Sequence, residues 1–190
     1  MDQFLAYLRG LNFFTTPQLE EIVSLTERTH VNKGEFLVRE SQRCTAVAFV
    51  EKGVFRSFYT HADGIDMTYC FRFPLDFVGA YSSFITGGPS IESIQAITAA
   101  EVLLIKKQDI AQSLATTLAG TRFLRYIAEQ QFLELENRVF GLQRLSAKER
   151  YQELVNKHPH YIQHIPLQYI ASYLGISARH LSRVRREIVF

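Results

Sequence analysis

Residues 165–188, IPLQYIASYLGISARHLSRVRREI, gather the side chains best suited to recognition chemistry. The second half of this stretch carries Arg179, Arg183, Arg185 and Arg186, interspersed with Ser177, His180 and Ser182. An arginine guanidinium can donate two bonds to guanine O6 and N7, and a serine hydroxyl can bond phosphate or base. Placed on a helix at about 100° per residue, Leu181, Val184 and Ile188 fall together on one side. Arg179, Arg183 and Arg186 fall on the opposite side, within about 30° of its centre, with Ser182 and Arg185 flanking. A row of guanidiniums facing away from an apolar stripe is what major-groove reading and phosphate contact require. A merely solvated basic face is the alternative, and the surrounding framework decides between them.

That framework reads as a helix-turn-helix. Pro166 opens a first helix, and Gly175 closes it where a left-handed residue is needed. Ser177 caps a second helix. Ala171 is small enough for the two helices to cross closely, and Ile170, Leu174, Ile176, Leu181 and Val184 supply the buried contacts. The chain ends at Phe190, two residues past the arginine helix, so the expectation is a helix-turn-helix without a full wing.

Charge is distributed to match. Residues 146–190 hold seven Lys/Arg and three Asp/Glu, whereas the rest of the chain holds 14 and 16. Four of the six histidines also lie in this tail. An anionic partner for the C-terminal part follows.

Ahead of the tail, SAKE (146–149) is a capping box that starts a helix ended by Pro159. Before it, TRFLRYIAEQQFLELENRVFGLQRL (121–145) has no proline and predicts a helix of about 37 Å. Leu124, Ala128, Gln131, Leu135, Arg138, Leu142 and Leu145 recur on it at alternating steps of four and three. Phe132 and Val139 broaden the stripe. The seam suits pairing with a second copy, or packing along the chain's own body. Gly120 is expected to interrupt the helical pattern, with a short helix at 109–118 before it.

Residues 29–106 switch to short β-branched and aromatic runs with turn signals, the pattern of a small antiparallel barrel or roll. TAVAFVEKGVFRSFYT (45–60) reads as two strands around Lys52-Gly53. HADG (61–64) is a turn, IDMTYCFRF a strand closed by Pro74, TGGPS (86–90) a loop, and SIQAITAAEVLLIK the last strand region. Residues 2–9 and 16–28 read as helices, with Thr16 capping the second and Pro17 at its first turn. The expected fold class is α+β: an N-terminal antiparallel β-roll of jelly-roll type with flanking helices (1–120), a long dimerisation helix (121–145), and an all-α helix-turn-helix domain (146–190).

Composition narrows the functional classes. With 47% hydrophobic and 21% charged residues, the chain can build a core and is not disordered. MDQFLAYLRG lacks the pattern of a signal peptide, and IQAITAAEVLLI is too short and polar to span a membrane, so a cytoplasmic protein is expected. Cys44 and Cys70 are too few for a disulfide framework or a four-cysteine cluster. An enzyme on a cupin-like barrel needs clustered metal ligands, but the roll offers only His30 and His61, with no His-x-His pair. No metal, no cofactor and no catalytic residue is expected. For a haem, Cys70 and His61 are axial-ligand candidates only in that they exist, and a lone strand cysteine is usually core.

The order of short helices, β-roll, long helix and helix-turn-helix resembles the CRP/FNR superfamily of bacterial transcription regulators, over essentially the whole chain. LQYIASYLGISARHLSRVRREI is the most specific part. The HADG turn, the Gly79 region and ITAAEVLLIK occupy the places of the family's sensor roll. The resemblance implies a homodimer paired through the long helix at Leu124, Ala128, Gln131, Leu135, Arg138 and Leu142. It implies double-stranded DNA with a two-fold-symmetric site as partner, and RNA polymerase as a further one. Base-reading residues would be Arg179, His180 and Arg183, with Ser177, Ser182 and Arg186 completing the DNA-binding set. Many members carry glutamate where Arg179 stands, so no consensus site transfers.

Cyclic-AMP-binding members hold the nucleotide through a Gly-Glu-Leu motif and an Arg-Ser or Arg-Thr pair some ten residues on. In DFVGAYSSFITGGPSIES, Gly79 remains, Ala80 stands for the glutamate, Tyr81 for the leucine, Ser90 for the arginine and Ile91 for the Ser/Thr. Both charged anchors are gone, and with them the charge-assisted pair to phosphate. Tight cyclic-nucleotide binding is therefore not expected. Phe71, Phe73, Phe77, Tyr81 and Phe84 could line an apolar pocket for another small molecule, or be plain core. The remaining alternative is a ligand-binding or protein-interaction module whose helix-turn-helix does not read DNA.

Overall fold

The computed structural model describes residues 1–188. Two short helices, α1 (Asp2–Gly10) and α2 (Thr16–Ser24), precede eight strands. These are β1 (Thr26–Val31), β2 (Phe36–Val38), β3 (Ala46–Lys52), β4 (Phe55–Thr60), β5 (Asp66–Arg72), β6 (Phe77–Val78), β7 (Ser93–Ala96) and β8 (Ala100–Lys106). They form two four-stranded antiparallel sheets, ordered β1-β8-β3-β6 and β2-β7-β4-β5. Between the sheets lies a core of Val31, Val38, Ala48, Val50, Phe55, Val78, Ile94, Ala96 and Val102. The outer face of the first sheet, with Phe49, Leu103 and Ile105, packs against Phe4, Leu8, Leu19, Ile22 and Phe123. Strand β3 is thus covered on both faces. That explains why AVAFV is apolar throughout instead of alternating.

Lys52-Gly53 does not turn a hairpin, because β3 and β4 belong to different sheets. Gly53 passes the chain between them at φ +96°, and a Cβ there would lie 2.6 Å from the Ala100 side chain. HADG does turn a hairpin: β4 pairs with β5 and Gly64 sits at φ +78°.

Several helix boundaries differ from the sequence expectation. Thr15, not Thr16, caps α2, in a reciprocal box with Gln18. The helix stops at Ser24 rather than 28, because Thr26–Val31 pair with β8. A helix missed in the sequence, α3 (Tyr81–Thr86), follows β6. The expected helix at 109–118 is a shorter α4 (Lys107–Gln112) and a 3-10 turn at Leu114–Thr116.

Gly120 does not interrupt the long helix. α5 runs from Leu118 to Arg144 with Thr117 as its cap, whose hydroxyl accepts from the Gly120 N–H at 3.0 Å. A Cβ on Gly120 would lie 1.9 Å from the Leu114 carbonyl oxygen. The glycine therefore permits close packing of helix on turn rather than breaking the helix. Cys44 lies in the loop before β3 and Cys70 lies in β5; both are free.

The C-terminal unit holds α6 (Ala147–Lys157), a 3-10 turn (Ile162–His164), α7 (Leu167–Leu174) and α8 (Ala178–Glu187). Ser146 and Glu149 form the expected capping box. The expectation of a missing wing concerns residues outside the described ones. No helix among the described residues is long and apolar enough to cross a membrane.

Candidate nucleic-acid interface and sensor pocket

The turn between α7 and α8 is built by backbone demand. Gly175 takes φ +68°, and the N–H of Ile176 donates to the Ala171 carbonyl at 3.0 Å. Ala171 is buried at the crossing, with Ile170, Leu174, Leu181 and Val184 buried around it and Ile176 packed alongside. The Ser177 hydroxyl accepts from the His180 N–H at 3.1 Å, so this side chain caps α8 before it can do anything else.

Burying Leu181 and Val184 turns the opposite face of α8 to solvent. Arg179, His180, Arg183, Arg185 and Arg186 are all exposed. Ser182 is partly buried, and its hydroxyl donates to the Ala178 carbonyl at 2.9 Å. Arg186 Nε donates to the Ser182 carbonyl at 3.3 Å. Among the described residues no carboxylate pairs with any arginine of α8. The row presents free positive charge on a rigid, capped helix.

The helix-turn-helix unit is fastened to the roll and to α5. The free edge of β5 meets α7: the Thr68 N–H donates to the Ser172 hydroxyl at 2.9 Å, and that hydroxyl donates to the Asp66 carbonyl at 3.2 Å. The buried Arg56 guanidinium lies 3.8 Å from both the Phe58 and the Tyr169 ring and pairs with Asp66. His158 stacks on Phe73 at 3.7 Å, and burial lowers its pKa. Arg138 of α5 donates to the Tyr173 carbonyl, and Arg150 of α6 donates to the carbonyls of Leu145 and Leu174. Both guanidiniums thus sit at the negative end of α7.

On α5 the expected seam divides. Gln131 accepts from Arg72 at 2.7 Å, Arg138 reaches Tyr173, and Leu124 packs into the cluster beneath α1 and α2. These residues face the chain's own body. Leu135 and Leu142 are exposed, Ala128 is half-buried, and Phe132 and Val139 stand exposed beside them. The outward stripe is therefore 128, 132, 135, 139 and 142, again at steps of four and three.

A cavity of about 360 Å3 lies between β4, β5, the β6–α3 turn and α5. Of the five pocket residues expected from sequence, Gly79, Tyr81 and Ile91 line it. Ala80 is fully buried in the inter-sheet core. Ser90 is also buried, with its hydroxyl donating to the Glu92 carbonyl and accepting from the Glu92 N–H. Gly79 has a packing reason of its own, since a Cβ would come within 3.0 Å of Val47.

The sequence reading missed Glu92, Tyr69 and Arg72, which line the same cavity. Glu92 is buried and accepts from the Tyr69 hydroxyl. Burial pushes its carboxyl above the ordinary value, against the pull of hydrogen bonds from Tyr69 and Ser57. Arg72 pairs with Glu134 of α5 at 2.5 Å. The Cys70 thiol is pushed up by burial to about 11, which keeps it protonated and unreactive at neutral pH. Of the apolar pocket candidates, Phe77, Tyr81 and Phe84 line a separate crevice of about 260 Å3 against α5. Phe71 and Phe73 instead pack under the helix-turn-helix unit. Among the described residues no three His, Cys, Asp or Glu side chains gather as a metal site would require.

Residues 28–117 match the family model of the cyclic nucleotide-binding domain. No curated protein matches the sequence. Among solved structures, the chain is similar to FixK2 from Bradyrhizobium japonicum, with 20% identity over 85% of this chain and 83% of that one, at a TM-score of 0.76. A putative crp/fnr-family transcriptional regulator from Eubacterium rectale gives 18% identity over 96% and 87%, with a TM-score of 0.74. The c-di-GMP responsive global regulator CLP of Xanthomonas campestris gives 16% identity over 91% of each chain, with a TM-score of 0.70. Residues 28–117 thus match the cyclic nucleotide-binding domain, and the chain as a whole has the fold of these solved regulators.

Proposed function

We propose that this chain is a sequence-specific, DNA-binding transcription regulator that works as a cytoplasmic homodimer. The observation that carries the reading is the row of Arg179, Arg183 and Arg186, exposed and without carboxylate partners on the capped second helix of a helix-turn-helix. A helix meant to dock a protein partner would more naturally expose an apolar stripe. The outward stripe of α5 offers the surface for the second copy. Pairing there would carry two recognition helices to successive major grooves, about 34 Å apart, on a two-fold-symmetric site. Arg179, His180 and Arg183 read bases in this arrangement, and Ser182 and Arg186 contact phosphate. Ser177 serves chiefly as the cap. RNA polymerase is the partner on which such a regulator acts, and no catalytic role is proposed.

The roll is a sensor-like domain that does not respond to cyclic AMP. Ala80 and Ser90 stand where the ribose and phosphate anchors would be, Ser90 is turned into its own backbone, and a buried carboxylate lines the cavity. A phosphate entering it would meet no free guanidinium from that loop.

The test is selection from a randomised DNA library at two salt concentrations, with an Arg179→Ala/Arg183→Ala double variant in parallel. The expected result is a palindrome enriched by the native protein and lost by the variant, with affinity falling steeply as salt rises. Equal, motif-free binding by both proteins would overturn the reading.

A further inference from the structure

The roll cavity is furnished for a cation. Glu92 is only 6% exposed, and no cationic side chain lies within ion-pairing distance of it among the described residues. The two guanidiniums that also line the cavity are committed elsewhere. Arg72 is held by Glu134 at 2.5 Å and by Gln131 at 2.7 Å, so its charge is matched by its own partner. Arg138 is drawn to the Tyr173 carbonyl and lies 4.0 Å from the Tyr173 ring, toward the helix-turn-helix unit. Three tyrosines, Tyr59, Tyr69 and Tyr81, line the same space.

A carboxylate buried without a cation costs free energy that a bound cation would recover. Burial pushes the Glu92 carboxyl upward, against the pull of the Tyr69 and Ser57 hydrogen bonds and of the more distant Arg72 charge. Aromatic rings grouped around a cavity attract ammonium groups through their negative faces. The volume of about 360 Å3 is that of a small-molecule site. Ile91 and, from α5, Leu135 add apolar surface to the wall.

We propose that this cavity binds a small organic ammonium compound, its charge held by Glu92 among Tyr59, Tyr69 and Tyr81 and its apolar part against Ile91 and Leu135. The inference rests on the reading of the roll as a sensor domain and specifies the chemistry of what it senses. Because Leu135 belongs both to the cavity wall and to the outward stripe of α5, an occupant touches the surface proposed for pairing.

The test is titration calorimetry of the full-length protein with choline, phenethylammonium and cyclic AMP, each against a sodium chloride control. At least one ammonium probe should bind one site per chain with a dissociation constant below about 10 mM, and cyclic AMP should not bind. Glu92→Gln keeps an acceptor for the Tyr69 hydroxyl and removes the charge, so ammonium binding should weaken on the order of tenfold or more. Tyr81→Leu keeps bulk and removes a ring, and should weaken binding without altering Glu92. Binding of neither ammonium compound, unchanged binding in Glu92→Gln, or binding of cyclic AMP in preference to both would each overturn the proposal. Loss of DNA selection in the native protein would instead strike at the regulator reading itself, so the two failures are distinguishable.

Discussion

Leu135→Glu should split the proposed dimer while leaving the subunit folded. Phe132, Leu135, Val139 and Leu142 are 62%, 58%, 42% and 43% exposed along one stripe of α5. Full burial of such a side chain contributes about 1.5–3 kcal/mol, so covering the exposed half of each is worth about 1 kcal/mol. Across a symmetric pair each of these side chains counts twice. Replacing Leu135 removes two of these contributions, about 2 kcal/mol, and places two carboxylates in the seam at about 1–3 kcal/mol each. The dissociation constant should rise by about a thousandfold or more. Sedimentation velocity at micromolar concentration should show twice the 21.9 kDa chain for the native protein and the single chain for the variant, with unchanged circular dichroism. Gln131→Ala is the contrast: this side chain bonds Arg72 of its own chain, and its loss should leave the dimer intact. A dimeric Leu135→Glu variant, or a native protein that is already monomeric, would refute the reasoning.

Other perturbations follow from single contacts. Gly120→Ala places a Cβ 1.9 Å from a backbone oxygen that no rotamer change can move, and should cost about 2–4 kcal/mol by urea denaturation. Ser172→Ala leaves the Thr68 N–H without its acceptor at the joint between the roll and the helix-turn-helix unit. It should cost about 1–3 kcal/mol and raise hydrogen exchange at Thr68, while exchange within the inter-sheet core stays unchanged. The Glu92 carboxyl has its folded-state pKa raised above 4.5 by burial, so the folded protein holds this proton more tightly than the unfolded chain. Its contribution to stability is present below pH 4.5 and is lost as pH rises through the higher folded value. Glu92→Gln should therefore gain in melting temperature over the native protein as pH is raised from 5 to 7, and a constant difference would contradict this.

What was legible in the sequence was whatever depends on local demand. The helix-turn-helix announced itself because Gly175, Ser177, Ala171 and the spaced apolar residues each answer a steric or capping requirement within a few residues. SAKE and HADG were readable for the same reason. Boundaries decided by distant partners were not. LTER continues a plausible helix, yet Thr26–Arg28 pair with β8 some 75 residues on. Gly120 looked like a breaker because its role is set by the Leu114 carbonyl packed against it. The stripe on α5 was visible as a period, but its rotation was not. Which side of the helix meets solvent depends on Arg72 and Tyr173, which claim Gln131 and Arg138. Glu92 carried no sequence signal at all, since a glutamate in a loop is ordinarily exposed and only the fold buries it.

The position of α5 also links the roll to the helix-turn-helix unit. Glu134 and Arg138 stand one helical turn apart. The first pairs with Arg72 of β5, and the second holds the carbonyl end of α7. Leu135, between them, lines the roll cavity. A small rotation of this one helix would therefore change the cavity wall, the outward stripe and the grip on α7 together. A ligand can drive such a rotation only by binding one arrangement more tightly than the other, and a preference of about 1.4 kcal/mol shifts the balance tenfold. The polar contacts that would oppose it are one hydroxyl at Ser172, one stacked pair at Phe73 and His158, and two guanidiniums on the adjacent Tyr173 and Leu174 carbonyls at the C-terminal end of α7. These polar contacts frame an apolar cluster shared by the two units, Val54, Phe71, Phe73 and Ile97 with Tyr151, Leu154 and Leu174, so a guest must act against packing as well. The capped α8, packed on α7 through Leu174 and Leu181, would follow as a rigid body.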